Sequence, residues 1–359
     1  MENKEQESRS TRSEATPRMS AKHEVAQKII EAMQQGNTPW QKPWSASAMK
    51  PRNGVTDNEY RGINRVLLGL AGQAWSDSRW VTFQQAAANG WMVRTGEKGQ
   101  MIVKVVDLQD PTRSGRAGEQ GTSSGAGGSD SNGRGEHAPE GGQRDSRNRV
   151  ALKRYFVFNA QQVEGMPPMP EGTVQPEFDP IERAENVIKA LKEKTGLLVM
   201  HGGNSACYVP AVDEVRLPHK RDFHSVYDYY ATAMHECGHS TLAEKRLDRK
   251  EALGKRWGDA AYSLEELRAE ICSAILAAET GVPMSQDADH IGRHASYLNS
   301  WVKVIGNDPM VIFSAAKDAD RMASYMLGLA QENVAMAAHK EWVAAYDGQS
   351  VAMAMQTRQ

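Results

Sequence analysis

Cysteine is scarce: the 359-residue chain has three, Cys207, Cys237 and Cys272. So small and odd a set builds no disulfide framework and suits a reducing compartment, so a cytoplasmic protein is expected. Long apolar runs are missing too. Nothing nears the ~18 apolar residues of a transmembrane helix. The polar opening MENKEQESRSTRSEATPRMS lacks the apolar stretch of a secretory signal. No membrane partner is therefore expected. A dominant charge sign is also lacking, the formal net charge being −2. The balance is nonetheless uneven. Residues 1–165 carry a net +5 and residues 166–359 a net −7, a mild sign of a nucleic-acid-facing first half.

What is present suffices for a core. Hydrophobic residues make up 40% and charged residues 25%, an ordinary globular composition. The length suits about two domains. Residues 1–19 read as a disordered tail. Ser20 reads as the cap of a helix over 21–34, with Val25, Ile29, Ile30 and Met33 at helical spacing and Gly36 ending it. Residues 60–70 predict a second helix, and Trp80–Val81 an extended segment. Thr82 reads as the cap of a short helix that Gly90 stops. WMVRTGEKGQMIVKVVDL predicts two strands around the turn at 95–99.

From 109 to 148 there is no Val, Ile, Leu, Met, Phe, Trp or Tyr, and ten of the 31 glycines fall there. Such a stretch has too little apolar surface to order itself. IVKVV before it and RYFVF after it read as paired strands, so 109–148 is expected to be a flexible insertion in the first domain. A linker between domains is the alternative. The Pro-rich segment 166–180 reads as the boundary. Beyond it come a helix over 181–194, an extended 197–200 and a hairpin in CYVPAVDEVRLP. Helices are then expected over 223–245, 262–280, 285–305, 309–328 and 331–346. The fold class expected is α+β: a first domain over 20–165 and a mostly helical second over 181–350.

The sharpest motif is His235-Glu236-Cys237-Gly238-His239, an H-E-x-x-H in a helix-compatible run. Residues i and i+4 share a helical face, so both imidazoles can bind one ion. Glu236 lies about 100° round the helix, where it can act as general base toward water. A helix bearing two surface histidines is the plain alternative. A third ligand is needed, and YSLEELRAEICSAIL offers Glu266 and, four residues on, Glu270. Glu266 is read as the ligand and Glu270 as the acid that orients a ligating histidine. Glu265 is the competing ligand, and an acidic first turn favoured by the helix dipole is the plain reading. Two His and one carboxylate suit one divalent ion, with Zn²⁺ first and Mn²⁺ also accommodated. His224 and Tyr230 are candidates to stabilise an oxyanion.

Five of the eight tryptophans lie in the first 91 residues, Trp40, Trp44, Trp75, Trp80 and Trp91, interleaved with basic residues such as Arg52, Arg61, Arg94 and Lys98. Bases stack on aromatic faces while Lys and Arg neutralise phosphates, so single-stranded DNA is a natural partner. Burial accounts for Trp80 and Trp91 more readily than for Trp40 and Trp44, which sit in a Pro-containing loop.

These motifs together resemble the ArdC antirestriction family, whose N-terminal region also occurs in TraC-type conjugative primases. The first-domain series is Pro39-Trp40, Lys42-Pro43-Trp44, Pro51-Arg52-Asn53, Tyr60-Arg61-Gly62-Ile63-Asn64, Trp80, Thr82-Phe83, Gly96-Glu97-Lys98-Gly99 and Phe158-Asn159-Ala160-Gln161-Gln162. The second is Tyr208-Val209-Pro210, His235 to His239, Glu265 to Glu270, Ala295-Ser296-Tyr297-Leu298 and Trp301. The resemblance implies a plasmid-borne protein of conjugation that protects incoming DNA from host restriction. Its first domain would bind single-stranded DNA, through Trp40, Trp44, Arg52, Tyr60, Arg61, Asn64, Arg94 and Lys98. Its second would be a zincin-like metallopeptidase of the gluzincin type, with His235, His239 and Glu266 on the metal, Glu236 as base, Glu270 behind them, and a host protein as substrate. The first domain alone is expected to keep its DNA affinity. A strand-coating protein with a non-catalytic metal site is the competing expectation, and a metal-dependent nuclease a weaker third.

Overall fold

The structure is a computed structural model that describes residues 19–35, 50–107, 150–169, 179–249, 260–282 and 288–356. The expected tail, the expected insertion, most of the expected boundary segment, and Trp40 and Trp44 lie outside those residues.

Helix α1 (Ala21–Gln34) buries Val25, Ile29 and Met33 along one face. It leads to a four-stranded sheet in the order β1-β2-β5-β4. Its members are β1 (Arg52–Asn53), β2 (Arg79–Thr82), β4 (Gln100–Asp107) and β5 (Val150–Asn159). Helix α2 (Ile63–Ala71) packs on this sheet, and α3 (Phe83–Ala88) follows β2 directly. Thr82 caps α3 in a capping box: its side chain accepts from the Gln85 amide, and Gln85 accepts from the Thr82 amide. The two strands expected around the 95–99 turn exist, but they do not pair with each other. β3 (Met92–Val93) pairs with β6 (Val163–Glu164), whereas β4 runs antiparallel to β5 over eight residues, from Gln100↔Val157 to Asp107↔Val150. The long ladder satisfies far more backbone groups than a two-residue hairpin could, and it takes the strand.

The second part opens with α4 (Pro180–Thr195), capped by Asp179 and closed by Gly196 in the left-handed region. A three-stranded sheet follows in the order β7-β9-β8, from β7 (Leu198–His201), β8 (Cys207–Val209) and β9 (Glu214–Leu217). Four helices follow among the described residues: α5 (Val226–Ser240), α6 (Ala260–Thr280), α7 (Ala288–Asn307) and α8 (Met310–Gln356). Where the sequence predicts two helices over 309–328 and 331–346, α8 is continuous. Gly328 lies inside it, and a single glycine costs only about 1 kcal/mol in a helix. Among the described residues no helix is long and apolar enough to cross a membrane.

The core crosses the expected boundary. One cluster of buried side chains joins Val25, Ile29, Met33, Val66, Leu67, Met101 and Val103 of the first part to Leu191, Met234, Leu267, Trp301 and Met322 of the second. Polar contacts follow the same seam. Arg65 is buried at 4% exposure and reaches Glu59, Glu279 of α6 and Asp320 of α8. The Gly62 amide donates to Asp320 at 2.8 Å, and Lys50 pairs with Glu279 at 3.1 Å.

Candidate metal centre

Helix α5 starts because the Ser225 hydroxyl accepts from the Asp228 amide. It ends where Ser240 and Thr241 turn their hydroxyls onto the Cys237 and Gly238 carbonyls, at 2.6 and 2.7 Å. Between these ends the helix packs against α6 so closely that Gly238 faces the Cα of Ala269 across the contact, 3.8 Å from where a Cβ would stand. Cys237 is fully buried and serves as core. The histidines on this side of the helix face the N-terminal half of α6.

His235, His239 and Glu266 bring one ligand atom each to within 4.8 Å of one another. The two Nε2 atoms stand 3.1 Å apart. Each lies 3.5 Å from a different oxygen of Glu266, His235 from Oε2 and His239 from Oε1. The remaining ring nitrogens are occupied. His235 Nδ1 meets Glu270 at 3.0 Å and His239 Nδ1 meets Glu265 at 3.4 Å. An ionised carboxylate only accepts, so with an ion bound each Nδ1 would carry the proton and each Nε2 would offer its lone pair to the ion. A tetrahedral ion with bonds of ~2.1 Å holds its ligand atoms ~3.4 Å apart, and the observed spacings bracket that figure. The donor set therefore fits one divalent ion.

Without an ion, the carboxylates hold protons on the rings. Burial disfavours the charged form of His235, yet Glu266 and Glu270 raise its pKa well above the usual value. His239 is likewise raised: burial opposes it and the bond from Glu265 overcomes it. Burial also favours neutral Glu266, but His235, His239 and Tyr262 pull its pKa down to about 2.

Glu265, the competing ligand of the sequence reading, points past the ion position. Arg249 grips it with two bonds, 2.7 and 3.0 Å long, and bonds the Thr241 hydroxyl at 2.8 Å. Glu265 and Glu270 thus play parallel parts, one behind each imidazole. Glu236 is buried in the same wall of α5. Tyr230, a sequence-level candidate for an oxyanion donor, instead donates to Glu185 on α4 at 2.8 Å. Three residues that sequence reasoning missed belong here: Arg249, Tyr262 and Tyr297. Tyr262 had a spacing signal, standing four residues before Glu266 on the same helical face, and Tyr297 appeared in the family series without a role.

The expected DNA contacts are scattered. Arg61 is 62% exposed, ion-paired to Glu59 and bonded to Ser324 of α8. Arg94 and Lys98 project from the turn before β4, where Arg94 pairs with Glu97 at 2.7 Å. Arg52 pairs with Asp57. Tyr60 and Asn64 face inward. The Tyr60 hydroxyl accepts from Asn53 at 3.2 Å. The Asn64 amide both donates to and accepts from the Val103 backbone, at 2.8 and 2.9 Å. Trp80 is buried against Trp75. Exposed aromatic surface comes instead from Phe83 (62%), Phe156 (54%) and Tyr155 (40%), which the tryptophan pattern did not reveal.

Comparison with known proteins agrees with this arrangement. Residues 19–158 match the family described as the N-terminal domain of anti-restriction factor ArdC, and residues 182–318 match the zincin-like metallopeptidase family. DNA primase TraC of Escherichia coli is 37% identical over 324 residues, which is 87% of this chain. The chain spans only 20% of that primase, and 27% of a second TraC. The uncharacterized protein y4eC of Sinorhizobium fredii (strain NBRC 101917 / NGR234) is 33% identical over 309 residues, 84% of this chain and 90% of its own length. Crystal structures of the antirestriction ArdC protein from plasmid R388, one metal-free and one Mn(II)-bound, share its fold. They superpose with a TM-score of 0.64 at 28% identity, over 88% and 87% of this chain and 99% and 98% of theirs. Matched in both parts, in the same order, and over nearly the whole length of a relative, the chain belongs to the ArdC antirestriction family.

Proposed function

We propose that this protein is an antirestriction factor that binds single-stranded DNA in the cytoplasm and hydrolyses a host protein through a one-metal zincin centre. The observation that carries the enzymatic half is the convergence of both Nε2 atoms on the Glu266 carboxylate, each ring held from behind by a second carboxylate. The Mn(II)-bound state of the R388 relative supports a divalent ion in this fold, with Zn²⁺ favoured by the His-His-Glu set.

His235, His239 and Glu266 would hold the ion. When bound, it supplies a Lewis acid and makes water acidic enough to be deprotonated near neutral pH. Glu236 is the base: its carboxylate takes a proton from the water that adds to the peptide carbonyl and returns it to the departing amine nitrogen. Glu270 and Glu265 fix the two rings, and Arg249 fixes Glu265. Arg94 and Lys98 neutralise phosphates, and Phe156, beside Gly99 of the same turn, stacks a base.

The Glu236→Gln variant tests the reading. It should bind metal as the wild type does and lose hydrolysis and protection from restriction by at least about 10²-fold. Full protection by this variant would leave the strand-coating reading in its place. Single-stranded DNA affinity should fall steeply with salt and drop in Lys98→Ala and Phe156→Ala; salt-independent binding would contradict it.

A further inference from the structure

The seam between the two parts lays the Tyr60–Asn64 turn along the exposed face of α8. Gly62, at a φ of +57°, donates its amide to Asp320 at 2.8 Å, and a Cβ built there would stand 4.0 Å from the Lys317 Cα. Arg61 reaches further along the helix, to the Ser324 hydroxyl at 3.3 Å. Arg321 lies between these two footholds, one turn or ~6 Å past Lys317. Lys317 and Arg321 are exposed, as is Arg61. Three cations drawn from both parts thus share one surface patch.

Most acids around the patch are already matched. Glu59 pairs with Arg65 at 3.2 Å and with Arg61 at 3.6 Å. Asp320 takes Arg65 and the Gly62 amide. Beside Arg321 a recess of about 360 Å³ is lined by Asp248, Arg249, Arg268 and Asp318. Arg268 is held there by Asp318 at 2.7 Å, and Arg249 by Glu265 at 2.7 Å. Of the described acids here only Asp248 stays unmatched, against two unmatched cations, Lys317 and Arg321. These cations stand out in a half whose net charge is −7. Among the described residues from Val311 to Asn333, α8 exposes no large apolar side chain. A protein partner needs such an anchor, whereas a phosphate backbone needs charge alone.

We infer that Arg61, Lys317 and Arg321 hold phosphates of single-stranded DNA, so that the strand crosses the seam from the first part onto the metal-holding part. The inference rests on the DNA reading above and extends its footprint to α8. Arg61 is the link, since the first part carries it and the second anchors it. Each phosphate that lands on the patch releases condensed counterions and relieves the repulsion between like charges one helical turn apart. The second part then contributes DNA affinity of its own. The strand also passes the recess in which Arg249 grips Glu265, the acid behind His239.

The experiment titrates fluorescein-labelled oligodeoxythymidine with full-length protein between about 50 and 200 mM salt. It compares the wild type with Lys317→Gln/Arg321→Gln and with Lys317→Arg/Arg321→Lys. The Gln pair should bind more weakly and flatten the log–log salt slope by about 1.4, at about 0.7 per lost phosphate contact on a single strand. Its melting midpoint should stay at the wild-type value. The charge-preserving pair should keep the wild-type slope. Ultraviolet crosslinking of the wild type to an iodouracil-substituted oligonucleotide reads the contact without any substitution, and should recover peptides from α8 as well as from the first part. With wild-type binding intact and Lys98→Ala weakened, a wild-type slope in the Gln pair or crosslinks confined to the first part overturns this assignment alone. A charge-preserving pair that loses as much as the Gln pair marks a packing effect and overturns it too. A wild type that does not bind the oligonucleotide overturns it together with the DNA reading.

Discussion

At the scale of single residues, the spacing of His235 and His239 and of Glu266 and Glu270 is visible along the chain, because i and i+4 share a helical face. What spacing cannot tell is which of two adjacent glutamates turns toward the ion. Glu265 and Glu266 point about 100° apart, and only the packing of Arg249 and Thr241 against Glu265 decides between them. Glu265→Gln should still bind metal, with an affinity lower by about 10- to 100-fold, the range for lost outer partners of metal ligands; calorimetric titration reads this directly. Asp213 offers a test by pH. Burial favours its neutral form, but Arg246, Lys245 and Tyr208 hold its pKa down to about 2 against an ordinary 3.8. A depressed carboxylate contributes stability above its unfolded pKa and loses it as the folded pKa is approached. The contribution is thus complete above about pH 4 and declines toward about pH 2. Asp213→Asn should flatten that part of the stability profile measured by urea unfolding.

At the scale of elements, local signals worked where the interaction is local. The Thr82 capping box and the Asp179 cap with Gly196 closing α4 are written in neighbouring residues. The partner of β3 was not, because Val163 and Glu164 stand about 70 residues away, whereas the pairing of IVKVV with RYFVF, read from their matching strand patterns, is the β4–β5 ladder. The unbroken α8 was missed for a related reason: Gly328 looks like a stop, yet in place it meets nothing within 4 Å. That gives a prediction with a definite sign. Gly328→Ala adds a methyl into open space and lowers the entropy of the unfolded chain, so the protein should gain about 0.5–1 kcal/mol. A thermal melt that moves down instead would mean that the helix needs its glycine.

At the scale of the whole molecule, composition showed the charge asymmetry and suggested a Pro-rich boundary, but not the side chains shared across it. Val66, Leu67, Met101 and Val103 look like ordinary interior residues of a first domain, and their partners in α4 to α8 are identifiable only in three dimensions. The shared core revises the expectation that the first part acts alone. A fragment of residues 19–165 would expose these side chains and α1, so it should be insoluble or unfolded. The intact protein should melt in one transition by both circular dichroism and tryptophan fluorescence, and two separated transitions would contradict this.

The seam through Arg65, Glu279 and Asp320 also bears on ancestry. Recombination that cut the gene at the Pro-rich boundary would leave each product with an orphaned greasy flank and stranded charges, so natural exchange should move this body as an undivided cassette. The 324-residue stretch shared with the far larger primase, running through both parts, is what such an indivisible cargo leaves behind.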